Sequence, residues 1–293
     1  MLVDNPWLQR RVLAYAHQGG EREAPSSTLF AIEHAIAVGA DAIELDVHAT
    51  ADGRLVVCHD ATLDRTTNGR GAISKRPAHE LAGLDAAWNF VPGEGACPGR
   101  DPSQYVLRGK VLEDPRLGVA TLEAVLEATR GVPLNLDVKQ TAPLVAPYEA
   151  SLVELLREHE RTHDVIVASF HEAAIAAIRQ LAPEIAVSPQ RRALAAFLLA
   201  VRTHRRPPAA LRQYAALQVP VRHRGVRIVN RRFVHEAHAA GLAVHVWTVN
   251  DPSEMERLVD DGVDGIMTDV PSVASSLLDR LGVSRGRASP RKR

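Results

Sequence analysis

The apolar positions of this chain switch repeatedly between two periods. Short runs of alternating or uniformly aliphatic side chains read as strands, and between them apolar residues recur every three or four positions, as on one helix face. Strand patterns fall at 12–16, 42–47, 133–138, 165–169, 185–187, 216–219, 243–248 and 265–268. Helical patterns fill about 28–38, 121–129, 147–159, 172–181, 192–201, 231–240, 252–261 and 271–281, with Ser27 or Thr28 able to cap the first and Gly39 to close it. Eight strands alternating with helices predict a (β/α)8 barrel. One stretch breaks the rhythm. After the second strand a hairpin through Asp52-Gly53 leads into a short strand at 55–58, and from 61 to about 119 the periodicity fades into turn chemistry and Gly/Pro-rich segments. Its aromatics, Trp88, Phe90 and Tyr105, favour an ordered cap over a linker. The organisation expected is one domain over 1–283, with an insertion at about 49–118, and a basic disordered tail at 284–293.

Charge narrows the function. The chain has 293 residues with 35 basic and 35 acidic side chains, so no basic excess exists to displace counterions from a nucleic-acid backbone. Aromatics are only 4%, too few for a base-stacking platform. The N-terminal MLVDNPWLQRR has no apolar core of a signal peptide, and the longest apolar run, 193–201, is too short to span a bilayer. That run is flanked by arginines and could make a peripheral lipid contact, although a barrel helix with basic ends is the simpler reading. With two cysteines, Cys58 and Cys97, the expected compartment is a reducing cytoplasm.

The candidate chemistry collects at strand ends. His17 follows the first strand; Glu44 and Asp46 share one face of the second, with Ile43, Leu45 and Val47 on the other. Carboxylates that close repel, so one must protonate or a cation must stand between them, and for oxygen donors that cation is Mg²⁺ or Ca²⁺. Asn135, Asp137 and Lys139 alternate along LNLDVK, and His245 and Trp247 along the seventh strand. A cation shared by Glu44, Asp46 and Asp137, with an anion on Lys139, would satisfy these charges, and an anion between a metal and a lysine suggests phosphate. His17 and His59 beside it suggest a general acid and a general base, hence metal-assisted phosphoryl transfer. Asp60 reads as orienting His59 or capping a turn. His48, Asn135 and Ser169 read equally well as support for the site or as barrel filling, and Arg22 as an exposed loop charge.

Taken together, AHQGG, GADAIELDVHATADGRLVVCHDATLDRTTNGRG, LNLDVK, SF, VHVWTVND and GVDGIMTD resemble the glycerophosphodiester phosphodiesterase family, in that family's order, from about residue 16 to 271. The resemblance implies a TIM barrel with a small insertion after strand two, a divalent cation on Glu44, Asp46 and Asp137, and His17 and His59 as the acid/base pair. It also implies attack by a substrate glycerol hydroxyl on phosphorus, departure of the alcohol, and hydrolysis of the cyclic phosphate to glycerol 3-phosphate. Gln18 and Lys139 would contact the phosphate and Trp247 would line the pocket. Three departures stand out: Gln18 replaces an arginine, Pro25-Ser26-Ser27-Thr28 replaces Pro-Glu-Asn-Thr, and Asp137 replaces a glutamate. The expected partner is a small glycerophosphodiester. The alternatives are a lysolipid, cleaved by a lysophospholipase D-type activity, or mere binding of a phosphodiester by a non-catalytic barrel.

Overall fold

A computed structural model of the chain describes residues 5–9, 12–139 and 148–283. Among them, eight parallel strands form one sheet: β1 (Leu13–His17), β2 (Ala42–Ala49), β3 (Leu134–Val138), β4 (Val165–Ala168), β5 (Ala186–Val187), β6 (Ala216–Pro220), β7 (Ala243–Trp247) and β8 (Gly265–Thr268). Except between β5 and β6, each is hydrogen-bonded to its neighbours in chain order, and β1 also to β8. Across the one remaining seam, between β5 and β6, the Ala215 N–H donates to Val187 O at 2.9 Å and the Ser188 hydroxyl to Ala216 O at 3.0 Å. The sheet is a nearly closed TIM barrel.

The helices follow the strands: α1 (Leu29–Ala37), α2 (Leu122–Ala128), α3 (Tyr148–Glu158), α4 (Glu172–Leu181), α5 (Arg191–Arg202), α6 (Arg231–Ala239), α7 (Pro252–Asp261) and α8 (Pro271–Arg280). Strand parity decides what they cover. Ile43, Leu45 and Val47 of β2 and Leu134, Leu136 and Val138 of β3 pack outward against Ile32, Val125, Leu152 and Ile175. On the other half Ala14, Val244, Val246 and Ile266 meet Phe233, Leu258 and Leu277. Each fully buried aliphatic side chain of this kind contributes about 1.5–3 kcal/mol of transfer free energy. The ring interior holds Leu13, Tyr15, Ile166 and Met267, with Trp7 inserted from a one-turn helix, Pro6–Gln9. Gly265 opens β8 between two interior rings: a Cβ there would lie 2.9 Å from both Tyr15 and His245.

Between β2 and β3 the chain leaves the barrel pattern. It turns at Gly53, with φ of 80°, and returns antiparallel, Leu55–Val57 pairing with Val47–Ala49. Residues 58–118 then fold as short 3-10 turns, a one-turn helix (Ala78–Leu81) and a hairpin of two-residue strands, Phe90–Val91 and Gly95–Ala96. Val56, Cys58, Leu63, Ile73 and Leu81 form a small core of their own. The aromatics organise the far side: the Arg108 guanidinium lies 3.6 Å from the Tyr105 ring centre and 4.7 Å from that of Trp88. The basic stretch 284–293, expected to be a disordered tail, lies outside the described residues.

Candidate active site

The loop after β1 is built to hold His17. Gly20, at φ of 92°, lets the chain double back, and a Cβ there would strike the Pro271 ring at 2.7 Å. Its N–H donates to His17 O at 2.7 Å. Thr28 caps α1, its hydroxyl accepting from Ala31 N at 3.0 Å and donating to Pro25 O. The His17 ring meets Asp269 Oδ1 through Nδ1 at 2.6 Å, and its Nε2 lies 3.8 Å from Glu44 Oε2. Burial alone would lower the His17 pKa, but Glu44 and Asp269 outweigh it and push it up to about 9. These carboxylates favour the charged imidazole.

Asp269 follows β8, whose Thr268 lies beside Ala16 of β1, so the register brings residues 17 and 269 together. The Asn250 side-chain amide donates to Asp269 Oδ2 at 2.6 Å and its carbonyl accepts from Asp269 N at 2.9 Å. Burial opposes the charge on Asp269, yet the bonds from His17 and Asn250 hold its carboxyl below the usual range. Neither residue was singled out in the sequence. The signal lay in the ends of VHVWTVND and GVDGIMTD, where a polar residue follows each strand.

The carboxylates sit on β2 and β3. Asp46 and Asp137 are cross-strand neighbours, and Glu44 lies two residues earlier on the same face as Asp46. All three are buried. Glu44 Oε2 accepts from Gln18 N at 3.1 Å. Burial, followed by the charges of Asp46 and Asp137, drives the Glu44 pKa well above the carboxylate range, with His17 opposing. Lys139 Nζ stands 2.8 Å from both Asp46 Oδ1 and Asp137 Oδ2. Burial raises the Asp137 pKa, Lys139 working against the rise; burial would lower that of Lys139, but the two aspartates raise it above the usual lysine value.

His59 lies two residues past the returning strand, close enough for its charge to act on Asp137. Its Nδ1 lies 2.7 Å from Asp60 Oδ1, and Arg65 Nε in turn donates to Asp60 Oδ2 at 2.7 Å. Asp60 thus holds the His59 ring on one oxygen and the Arg65 guanidinium on the other. Glu21 stands where the fields of both imidazoles reach it: burial and Asp269 raise its pKa, while His17, Arg65 and His59 pull it down. Trp247 closes β7 at the rim, its ring 6.5 Å from and perpendicular to that of the half-exposed Phe170. The remaining candidates are spoken for. Asn135 accepts from Gln218, Ser169 donates to Val138 O, and Arg22 is half-exposed with its Nε 4.0 Å from Asp269. His48 Nε2 lies 3.4 Å from His59 O. His245, in contrast, is fully buried inside the barrel against Trp7 and Tyr15. A cleft of about 530 Å³ between Arg54, Thr121 and Glu154 carries none of these groups.

The donor set suits a hard cation. Asp46 Oδ2 and Asp137 Oδ1 are buried with no hydrogen-bond partner, a costly state for carboxylate oxygens and one that Mg²⁺ or Ca²⁺ relieves. As the side chains lie, however, no three His, Cys, Asp or Glu among the described residues close on one point, and Lys139 occupies the other oxygen of each aspartate.

Comparison with known proteins agrees with the fold. The sequence profile of the glycerophosphoryl diester phosphodiesterase family matches residues 17–273. The chain is 33% identical over 273 residues to a glycerophosphodiester phosphodiesterase of Bacillus subtilis, covering 90% of this chain and 85% of that one. It is 30% identical over 274 residues to one of Caldanaerobacter subterraneus subsp. tengcongensis, covering 93% and 100%. Among solved structures, the Oleispira antarctica phosphodiesterase in complex with the product sn-glycerol-3-phosphate superposes with a TM-score of 0.70 at 27% identity, covering 91% of this chain and 96% of that one. With a barrel of this topology and a family match over most of its length, the chain belongs to the glycerophosphoryl diester phosphodiesterase family, and is a phosphoric diester hydrolase.

Proposed function

We propose that this enzyme hydrolyses glycerophosphodiesters to glycerol 3-phosphate and an alcohol, with a divalent cation on Glu44, Asp46 and Asp137 and with His17 and His59 as its acid/base pair. The observation that carries the reading is the paired arrangement of the imidazoles. Each has Nδ1 tied to a carboxylate, His17 to Asp269 and His59 to Asp60, which leaves each Nε2 free to exchange a proton. His17, whose charged form Asp269 favours, protonates the departing alcohol; His59 removes the proton of the attacking glycerol hydroxyl. In ring opening the roles reverse, His17 activating water. A divalent cation held by Glu44, Asp46 and Asp137 would supply positive charge to offset that of the phosphoryl oxygens. Gln18 and Lys139 take the phosphate, and Trp247 with Phe170 forms the apolar wall against the glycerol end. The product bound in the Oleispira antarctica enzyme supports glycerol phosphate as the retained half. Both cysteines are free, which suits a reaction in a reducing cytoplasm. Among the described residues no helix is long and apolar enough to cross a membrane.

The test is turnover of glycerophosphocholine and glycerophosphoethanolamine by the wild type, His17→Ala and His59→Ala. Each alanine variant is expected to lose at least about 10²-fold in kcat, the usual scale of a lost general acid or base. Undiminished turnover by both variants would remove the mechanism. Turnover of lysophosphatidylcholine in preference to the glycerophosphodiesters would move the enzyme to the lysolipid class.

A further inference from the structure

We infer that Lys139 is a built-in counter-cation for the aspartates, displaced by the divalent ion and so released toward the phosphodiester, which makes metal and substrate binding cooperative. The inference rests on the metal site proposed above and concerns what this chain does before and while that site fills.

The geometry carries it. Asp46 and Asp137 lie side by side on adjoining strands, and Lys139 Nζ bridges them at 2.8 Å from one oxygen of each. These are charge-assisted bonds, in the position a shared cation takes. Two oxygens of the same pair, Asp46 Oδ2 and Asp137 Oδ1, have no hydrogen-bond partner, so the ammonium satisfies half of the donor set and leaves half open. The third carboxylate, Glu44, is not on the lysine but on the Gln18 N–H. A divalent ion sitting 2.0–2.6 Å from these oxygens would face the ammonium at close range, and two cations repel there.

Only the side chain is free to yield. The Lys139 N–H donates to Val47 O at 3.2 Å and its carbonyl lies 2.9 Å from His171 Nε2, so both sides of its backbone are fixed. The flexible four-carbon stem then lets the head swing while its root stays. The Lys139 side chain is one-fifth exposed, against a buried Asp46, so it has solvent to move into. Lysine is scarce in this chain, four of 35 basic residues (Lys75, Lys110, Lys139 and Lys292). A planar arginine fork would cap the two carboxylates without this freedom to be displaced. Because coupling between sites is reciprocal, an ion that frees Lys139 strengthens anion binding, and the anion strengthens ion binding.

Two measurements decide it. In the first, Ca²⁺ is titrated into chelator-stripped wild type and Lys139→Met, by calorimetry and by thermal unfolding. The variant is expected to bind Ca²⁺ about tenfold more tightly and to gain a larger rise in Tm on loading. Glycerol 3-phosphate is expected to tighten Ca²⁺ binding in the wild type only. Equal or weaker Ca²⁺ binding by the variant overturns the inference and leaves the metal reading standing; absence of binding by both overturns the two together. The second uses the wild type alone, whatever the variant's folding. Acetylation read by mass spectrometry is expected to rise about fivefold at Lys139 on adding Ca²⁺, with Lys75 and Lys110 unchanged. No rise at Lys139 overturns the inference.

Discussion

Asp269 decides what His17 can do. A histidine at the end of a strand would titrate near its ordinary value and turn freely; the carboxylate behind Nδ1 fixes the ring and helps hold its proton. Asp269→Asn keeps the shape and removes that charge. It is expected to lower kcat by about 10²-fold and to move the basic limb of the pH–rate profile to lower pH, both read from steady-state rates between pH 5 and 10. An unchanged profile would show that Asp269 serves only the fold. Glu44, Asp46 and Asp137 were legible in the sequence as acidic residues alternating with aliphatic ones on strands, and His17 and His59 as imidazoles at or just past strand ends. Asp269 and Asn250 were not, because each follows a strand, and only the ring closure of β8 onto β1 brings them to His17. The position of Lys139, on the aspartates rather than open to an anion, depends on side-chain packing that no spacing encodes.

At the scale of elements, the barrel half was easily read and the excursion was not. Strands and helices carry their own periods, so each of the eight strands lies within a residue or two of its expected place. Residues 58–118 are instead held by side chains that bond the backbone: Asp85 accepts from Ala87 N and Gly109 N, Thr67 from Gly69 N, and Arg108 donates to Trp88 O. Bonds of this kind leave no repeating pattern. The same device appears between α3 and β4, where the buried Arg161 bonds both oxygens of Asp164, the Thr129 hydroxyl and the carbonyls of Leu126 and Val132. Arg161→Met would leave a buried carboxylate and two carbonyls without partners. It is expected to cost about 3–5 kcal/mol in urea unfolding, with the family of strands otherwise intact. A loss under 1 kcal/mol would mean that water replaces the guanidinium.

For the whole molecule, the barrel interior contributes one acid-sensitive group. His245 lies fully buried between Trp7 and Tyr15, and burial lowers its pKa to about 4, with Asp264 opposing. Below about pH 6.5 the unfolded chain takes up a proton that the folded barrel refuses, so stability falls as pH drops from there toward 4, by about 3 kcal/mol from this group. Above pH 6.5 both states are neutral and nothing is lost. His245→Phe should flatten this part of the stability curve, measured by denaturant unfolding at pH 7, 5.5 and 4.5 against the wild type. Parallel curves for the two proteins would show that the ring is hydrated in the barrel.

The account as a whole turns on one mouth of the barrel holding an ion and a glycerophosphodiester together. The direct measurement is release of glycerol 3-phosphate from glycerophosphocholine by enzyme stripped with EDTA, then supplied with Mg²⁺ or Ca²⁺. Turnover is expected to fall by at least about 10²-fold on stripping and to return with one of the two ions. Full turnover in the presence of the chelator would contradict it.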